Sequence, residues 1–351
     1  MPKINMLTIL KRRTVQAAII LLLCGVGVAH SQEKTQAPLK LLRAVALPGF
    51  TGDFDHFAVD EKGGRLFLAG EDHKTVEVFD LKTGRRVKSI TGFGAPHTIC
   101  YFPETDSILI TDGGKGQIQI LRGSDYSVIE HIDGLAGADS ARIDDANAIL
   151  YVVTGGKDVG LSYSFLVSID LRTHKRVGQL RFESNHVEAF AVESTSSRLF
   201  INITDKNEVD VVDRKTMQVT ARWPIRVAEV NSPMAYDEAH HRLLIVCRKP
   251  GKLVVMDSDK GAVVANMPAA GGSDDIAFDS SSGRIYVPGG DGYTSVFHQD
   301  AADKYSLIAD VPTAHGAKTS LLLPPLKRYF IAVSPGETKT VAKVLTFQVQ
   351  P

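Results

Sequence analysis

Apolar residues fall in short runs broken by turn-forming residues, and several runs alternate with polar positions, as in "TVEVFD" (75–80) and "NEVDVVD" (207–213). A period of two marks half-buried strands, and the apolar spacing of an amphipathic helix is absent throughout. The runs recur as a set: an apolar run, a turn with Asp, Gly or Ser, a second apolar run, a loop, an alternating run and a closing run such as "RRVKSI" or "KRVGQL". Aligned on the second run, the sets share a bulky residue at Phe67, Leu109, Tyr151, Phe200, Leu244, Tyr286 and Phe330, spaced 42 to 49 residues apart. Four short antiparallel strands at that period specify a propeller blade, so the predicted fold is all-β: a seven-bladed β-propeller of four-stranded blades.

The ends agree with a closed ring. The seventh set stops after its third strand, at "AKVLTFQVQP", while "LKLLRAVAL" (39–47) is a strand-like run with no set of its own. That run is expected to complete the last blade as its outer strand, which leaves no unpaired edge there.

The second strands "ILYVVTGG", "RLFINITD" and "RIYVPGGD", with "VEVFDLKTGRRV" and "LVSIDLRTHKRV", resemble the YVTN-type, YncE-like β-propeller repeats over essentially the whole of 39–351. The resemblance implies an exported bacterial seven-bladed propeller, from a group of folds that includes binding proteins and enzymes. Blade two departs from the pattern, with Pro103 and Arg122 where other blades carry acidic residues.

Composition is globular, at 44% hydrophobic and 23% charged. Residues 1–31 differ: Lys3, Lys11, Arg12 and Arg13 precede the apolar "AAIILLLCGVGV" and the small-residue "AHS", which reads as a cleavable signal peptide followed by a linker, 32–38. The run is shorter than the roughly 20 residues a membrane span needs, so no integral membrane segment is expected after cleavage, and a periplasmic or secreted location follows. Without 1–31 the chain keeps 36 of its 40 Lys/Arg against 40 Asp/Glu, a balance that gives no electrostatic affinity for nucleic acid. Cys100 and Cys247 then remain, too few for a disulfide scaffold and in different blades, and read as small buried hydrophobes.

Recurrence separates architecture from chemistry. Asp60, Asp144, Glu193, Asp237 and Asp279 each end a first strand, and Asp80, Asp170, Asp213 and Asp257 each open a later turn whose fifth residue (Gly84, His174, Met217, Gly261) is expected to bulge into the outer strand. The glycine-rich "TDGGKGQ", "TGGKDVG" and "PGGDGY" lack the spacing of a phosphate loop and read as hairpin loops.

Twelve residues before each bulky position, the innermost strands begin at Asp55, His97, Asp139, Glu188, Ser232, Asp274 and Lys318, a ring around one mouth of the central channel. Neighbouring positions and loops add His56, His73, His186, Asn231, Asp275 and His315 on that face, while the opposite face is expected to show only turn residues. Four carboxylates and an imidazole are either a solvated polar lining or a site; as metal ligands, Asp55, His97, Asp139, Glu188 and Asp274 would suit Ca²⁺, Mn²⁺ or Zn²⁺. Arg142 occupies a position where other blades carry small or apolar residues, and is expected to pair with Asp139 or Asp144 or else to hold an anionic ligand. The longer loops of blades three and seven, "TGGKDVGLSYS" and "SPGETKTVAK", stand on the same face.

No nucleophile elbow and no haem-attachment motif is present. The leading reading is therefore a non-catalytic propeller that binds a small ligand, a metal ion or an envelope protein through Asp55, His56, His97, Asp139, Arg142, Glu188, Asp274 and Lys318. The alternative is a metal-dependent hydrolase or lyase, similar to propeller lactonases, with His56 or His186 as the proton-transfer group.

Overall fold

The computed structural model describes residues 37–336 and 340–351; the expected signal peptide, 1–31, lies outside them, as do most of the linker and residues 337–339 of the blade-seven loop. Seven four-stranded antiparallel sheets follow one another along the chain. In blade one they are Phe57–Asp60, Arg65–Gly70, Thr75–Asp80 and Arg86–Thr91, paired in that order. Blade seven joins Thr319–Leu323, Arg328–Val333 and Lys343–Val349 to Leu39–Ala46, which pairs from Leu39 opposite Val349 to Ala46 opposite Lys343. The ring closes as the sequence predicts.

First strands of neighbouring blades touch one another, so they surround the axis, whereas fourth strands such as Gln218–Pro224 alternate between exposed and half-buried positions and form the rim. Second strands are buried on both faces, which is why they read as near-continuous apolar runs. Their side chains point alternately to the two neighbouring blades. Phe67 packs between blades one and two, Leu109 between two and three, Tyr151 between three and four, and Phe200 between four and five. Leu244, Tyr286 and Phe330 continue the series, the last packing between blades seven and one. Among the described residues the core is thus seven interfaces around a ring, and Leu66 and Leu68, on either side of Phe67, face the other way.

The recurrent acids act locally. Asp80 accepts from the Thr83 N–H at 2.6 Å, Asp213 from Lys215 and Thr216 at 2.8 and 2.9 Å, and Asp257 from Asp259 and Lys260 at 2.9 Å. The fifth residues Gly84, His174, Met217 and Gly261 all adopt left-handed φ, between 52° and 69°. The bulge itself falls three residues later than expected, at Val87, Val177, Thr220 and Val264, where the outer strand carries one residue more than its partner. Among the first-strand acids Glu193 differs: it clamps the Arg198 guanidinium, at 2.6 Å, instead of capping backbone N–H groups.

Candidate functional site

The predicted ring residues do stand where the inner strands start. Backbone hydrogen bonds from Asp55 to the Ala69 carbonyl (2.9 Å) and from Asp139 to that of Val153 (3.0 Å) extend the sheets by one rung and fix both carboxylates at the mouth. Side-chain partners then divide the ring into two arcs of different character.

Over blades one to four the arc is acidic. Asp55 is held between two imidazoles: His97 Nδ1 lies 2.6 Å from its Oδ2, and His56 Nε2 3.4 Å from its Oδ1. Burial disfavours charge on Asp55, yet His56, His97 and Lys318 outweigh it and hold the carboxyl well below its ordinary value. His97 also has Asp139 Oδ1 at 3.6 Å, and His56 reaches Asp275 at 3.1 Å. Burial works against both imidazolium ions, but the surrounding carboxylates push each histidine up to about 10. The shortage of positive charge falls on the remaining acids. Burial, reinforced by neighbouring carboxylates, pushes Asp139 and Glu71 up to about 7.

Between blades two and four this arc borders a cavity of about 330 Å³, lined by Glu71, His97, Asp139, His186 and Glu188 among others. His186 Nε2 lies 2.7 Å from Glu188 Oε1 and 2.9 Å from Lys157 Nζ. Burial opposes charge on Glu188, but that contact with His186 and the charge of Arg248 keep its carboxyl below the usual range. The long blade-three loop forms one wall through Gly155, Gly156 and the short 3₁₀ turn Lys157–Val159. Gly113 forms another, and a Cβ there would sit 3.0 Å from His97 Nε2, so the missing side chain makes room for the ring.

Over blades five to seven the arc is neutralised. Asp274 is paired with Lys318 at 2.7 Å and with the Arg248 guanidinium, and Lys318 also reaches Asp53 at 2.8 Å; Ser232 is buried. The five expected metal ligands are therefore not one cluster: Asp274 faces two cations, and Glu188 faces His186. Among the described residues, the group whose ligand atoms do come together, all within 4.8 Å, is Asp55, Glu71 and His97. His73 stacks on Phe50 at 4.3 Å and His315 is exposed, so neither joins the acidic arc.

Glu71 and Arg248 were missed by counting back to the strand starts. Counting four residues forward from each bulky position gives Glu71, Gly113, Gly155, Thr204, Arg248, Gly290 and Ser334, a second ring in which only these two are charged.

Below the ring the channel holds a second chamber of about 580 Å³, lined by inner-strand residues from five blades, including His56, Cys100, Arg142 and Asp275. The opposite face is thus more than turn residues. Cys247 is buried as expected, whereas Cys100 is only half-buried against this chamber. The pairing expected for Arg142 is not found. Asp144 is taken by Arg214 and Asp139 by His97, and among the described residues Arg142 has no carboxylate within 4.0 Å; its guanidinium donates to the Ala141 carbonyl at 2.9 Å.

No protein-family model and no curated protein matches the chain. Solved structures do: one chain from the crystal structure of the mitotic checkpoint complex aligns with TM-score 0.70 and 14% identity, over 96% of this chain and 100% of that one. It is one of 1640 matching chains, and at that identity the likeness shows the propeller fold alone.

Proposed function

We propose that this protein is a binding propeller whose upper cavity takes a small positively charged ligand, a divalent cation or a compact amine, without catalysing its conversion. The observation that carries this reading is the crowding of Glu71, Asp139 and Glu188 around one cavity in which two of the three carboxyls sit near 7. A cation entering there would let those carboxyls ionise fully, so binding should release protons. The propeller is a common ligand-binding scaffold, which supports binding. His56 is a poor proton-transfer group, since it lines the lower chamber and is held charged between Asp55 and Asp275. Calorimetric titration at pH 7 with Ca²⁺, Mn²⁺, Zn²⁺ and diaminobutane, in two buffers of different ionisation enthalpy, tests this. Saturable binding with proton release, abolished in Glu71→Gln/Asp139→Asn, is expected; no binding by any of the four overturns it.

A metal-dependent hydrolase or lyase is the second reading, supported by the proximity of Asp55, Glu71 and His97. Those residues would hold the ion, which would supply Lewis acidity, and His97, which Asp139 and Asp55 hold charged, would have to lose one ring proton to serve as a ligand. Retention of stoichiometric metal after purification, with a melting temperature that drops on chelation, is what this reading requires.

Export is part of the proposal. It rests on the basic and apolar pattern of 1–31, and N-terminal sequencing of protein recovered from the periplasm or medium checks it: an N-terminus near Gln32 is expected.

A further inference from the structure

We infer that the lower chamber is a second ligand site, and that it takes a small organic carboxylate with an apolar body, held by Arg142. No residue lines both this chamber and the upper cavity, because the boundary falls within the inner strands: His97 and Asp139 face up, Thr98 and Arg142 face down. His56 stands at the divide, with Asp55 on one nitrogen and Asp275 on the other.

Charge decides the ligand class. Four charged groups face the chamber: His56, Arg142, Asp145 and Asp275. Asp275 is already satisfied, by His56 at 3.1 Å and by the Ser320 N–H at 2.8 Å. Asp145 is exposed, and no ion pair among the described residues joins it to Arg142. The guanidinium therefore spends one N–H on the Ala141 carbonyl and presents the rest of a fork that matches a carboxylate in two-point geometry. In the other six blades this position is Ala58, Cys100, Ala191, Ala235, Ala277 and Leu321, so the propeller fold does not need an arginine here.

Shape and polarity fix the rest of the ligand. Ile99, Ile143, Ile276, Phe278, Leu321 and Leu322 supply an apolar wall, and about 580 Å³ is within the usual range for a small-molecule site. A hydrated inorganic anion would leave that wall unused, whereas a carboxylate on a phenyl or short alkyl body uses both parts of the chamber.

Phenylbutyrate, with phenylbutanol as its uncharged counterpart, is a suitable probe pair for equilibrium dialysis and ligand-detected NMR on the full mature chain. Saturable one-to-one binding of the acid, at least about ten-fold tighter than the alcohol, is expected. Arg142→Met should abolish that preference while Glu71→Gln leaves it intact, which separates this site from the cation site above. Equal affinity for acid and alcohol in the wild-type protein, or no saturable binding of either, overturns the inference without recourse to any variant. Retention of the preference in a folded Arg142→Met protein does so too.

Discussion

His97 Nδ1 lies 2.6 Å from Asp55 Oδ2, a contact between the first strands of two blades whose residues are 42 apart in sequence. It ties one blade to the next through charge, at the point where apolar packing gives way to the channel. His97→Ala would leave Asp55 buried with only His56 and the charge of Lys318 to offset it, and a loss of about 3 kcal/mol in urea unfolding at pH 7 is expected. The sign of the pH dependence follows from the shift. His97 is raised from 6.5 to about 10, so its contribution is complete below about 6.5 and fades as pH rises through 10. The gap between wild type and His97→Ala should narrow between pH 7 and pH 10.5; parallel stability curves would rule this out.

Glu71 and Asp139 behave in the opposite sense to ordinary salt-bridged acids. Both take up protons more readily in the folded state, so they cost stability as pH rises from about 4 through 7. Glu71→Gln and Asp139→Asn should each stabilise the protein at pH 8, by on the order of 1 kcal/mol after allowing for solvent at the mouth, and change little at pH 5. Thermal melts at the two pH values check this, and destabilisation at pH 8 would contradict it.

Phe200 is fully buried between blades four and five, with Trp223 at 5.8 Å and Tyr236 at 5.5 Å between ring centroids. Because the core consists of such interfaces, Phe200→Ala opens a cavity that neither blade can fill alone. A loss of about 4 kcal/mol is expected from denaturant unfolding. A value below about 1 kcal/mol would mean that the two blades close up independently.

Gly261 closes a turn at φ 69° directly over the Trp223 ring, where a Cβ would lie 2.2 Å from the indole. Gly84 has the same turn geometry in blade one, but there the nearest atoms belong to the flexible Arg43 side chain. Gly261→Ala should therefore cost at least about 2 kcal/mol and Gly84→Ala distinctly less, read as shifts in melting temperature. Equal costs would show that backbone strain alone is responsible.

Blade number, strand order and ring closure were legible in the sequence because they rest on period and alternation, which repeat seven times. The ring Asp55, His97, Asp139, Glu188, Ser232, Asp274 and Lys318 was legible for the same reason. What the repeat does not encode is how the side chains share charge. The register gives Asp274 and Asp139 equivalent places, yet Lys318 and Arg248 neutralise the first while the second faces a histidine already engaged with Asp55. Glu71 does not stand out in the sequence, because it lies in a loop where the six other blades have Gly, Thr, Arg or Ser, and a position without a common residue type carries no signal. Arg142 stands out as an exception to the repeat, but its lack of a carboxylate partner is a fact of distance and not of sequence.

The strand Leu39–Ala46 precedes every other described strand in the chain and pairs with Lys343–Val349, which follows them all, and the Gln350 N–H reaches the Pro38 carbonyl at 2.9 Å. Blade seven is therefore incomplete until synthesis has passed Val349, however many of the other blades have already stacked. Until then Leu39–Ala46 and Arg328–Val333 both expose unpaired backbone, two edges that await the same strand between them. A chain cut short before Lys343 would be released with both edges open, and the Lys343–Val349 strand of an intact copy is what would fit between them.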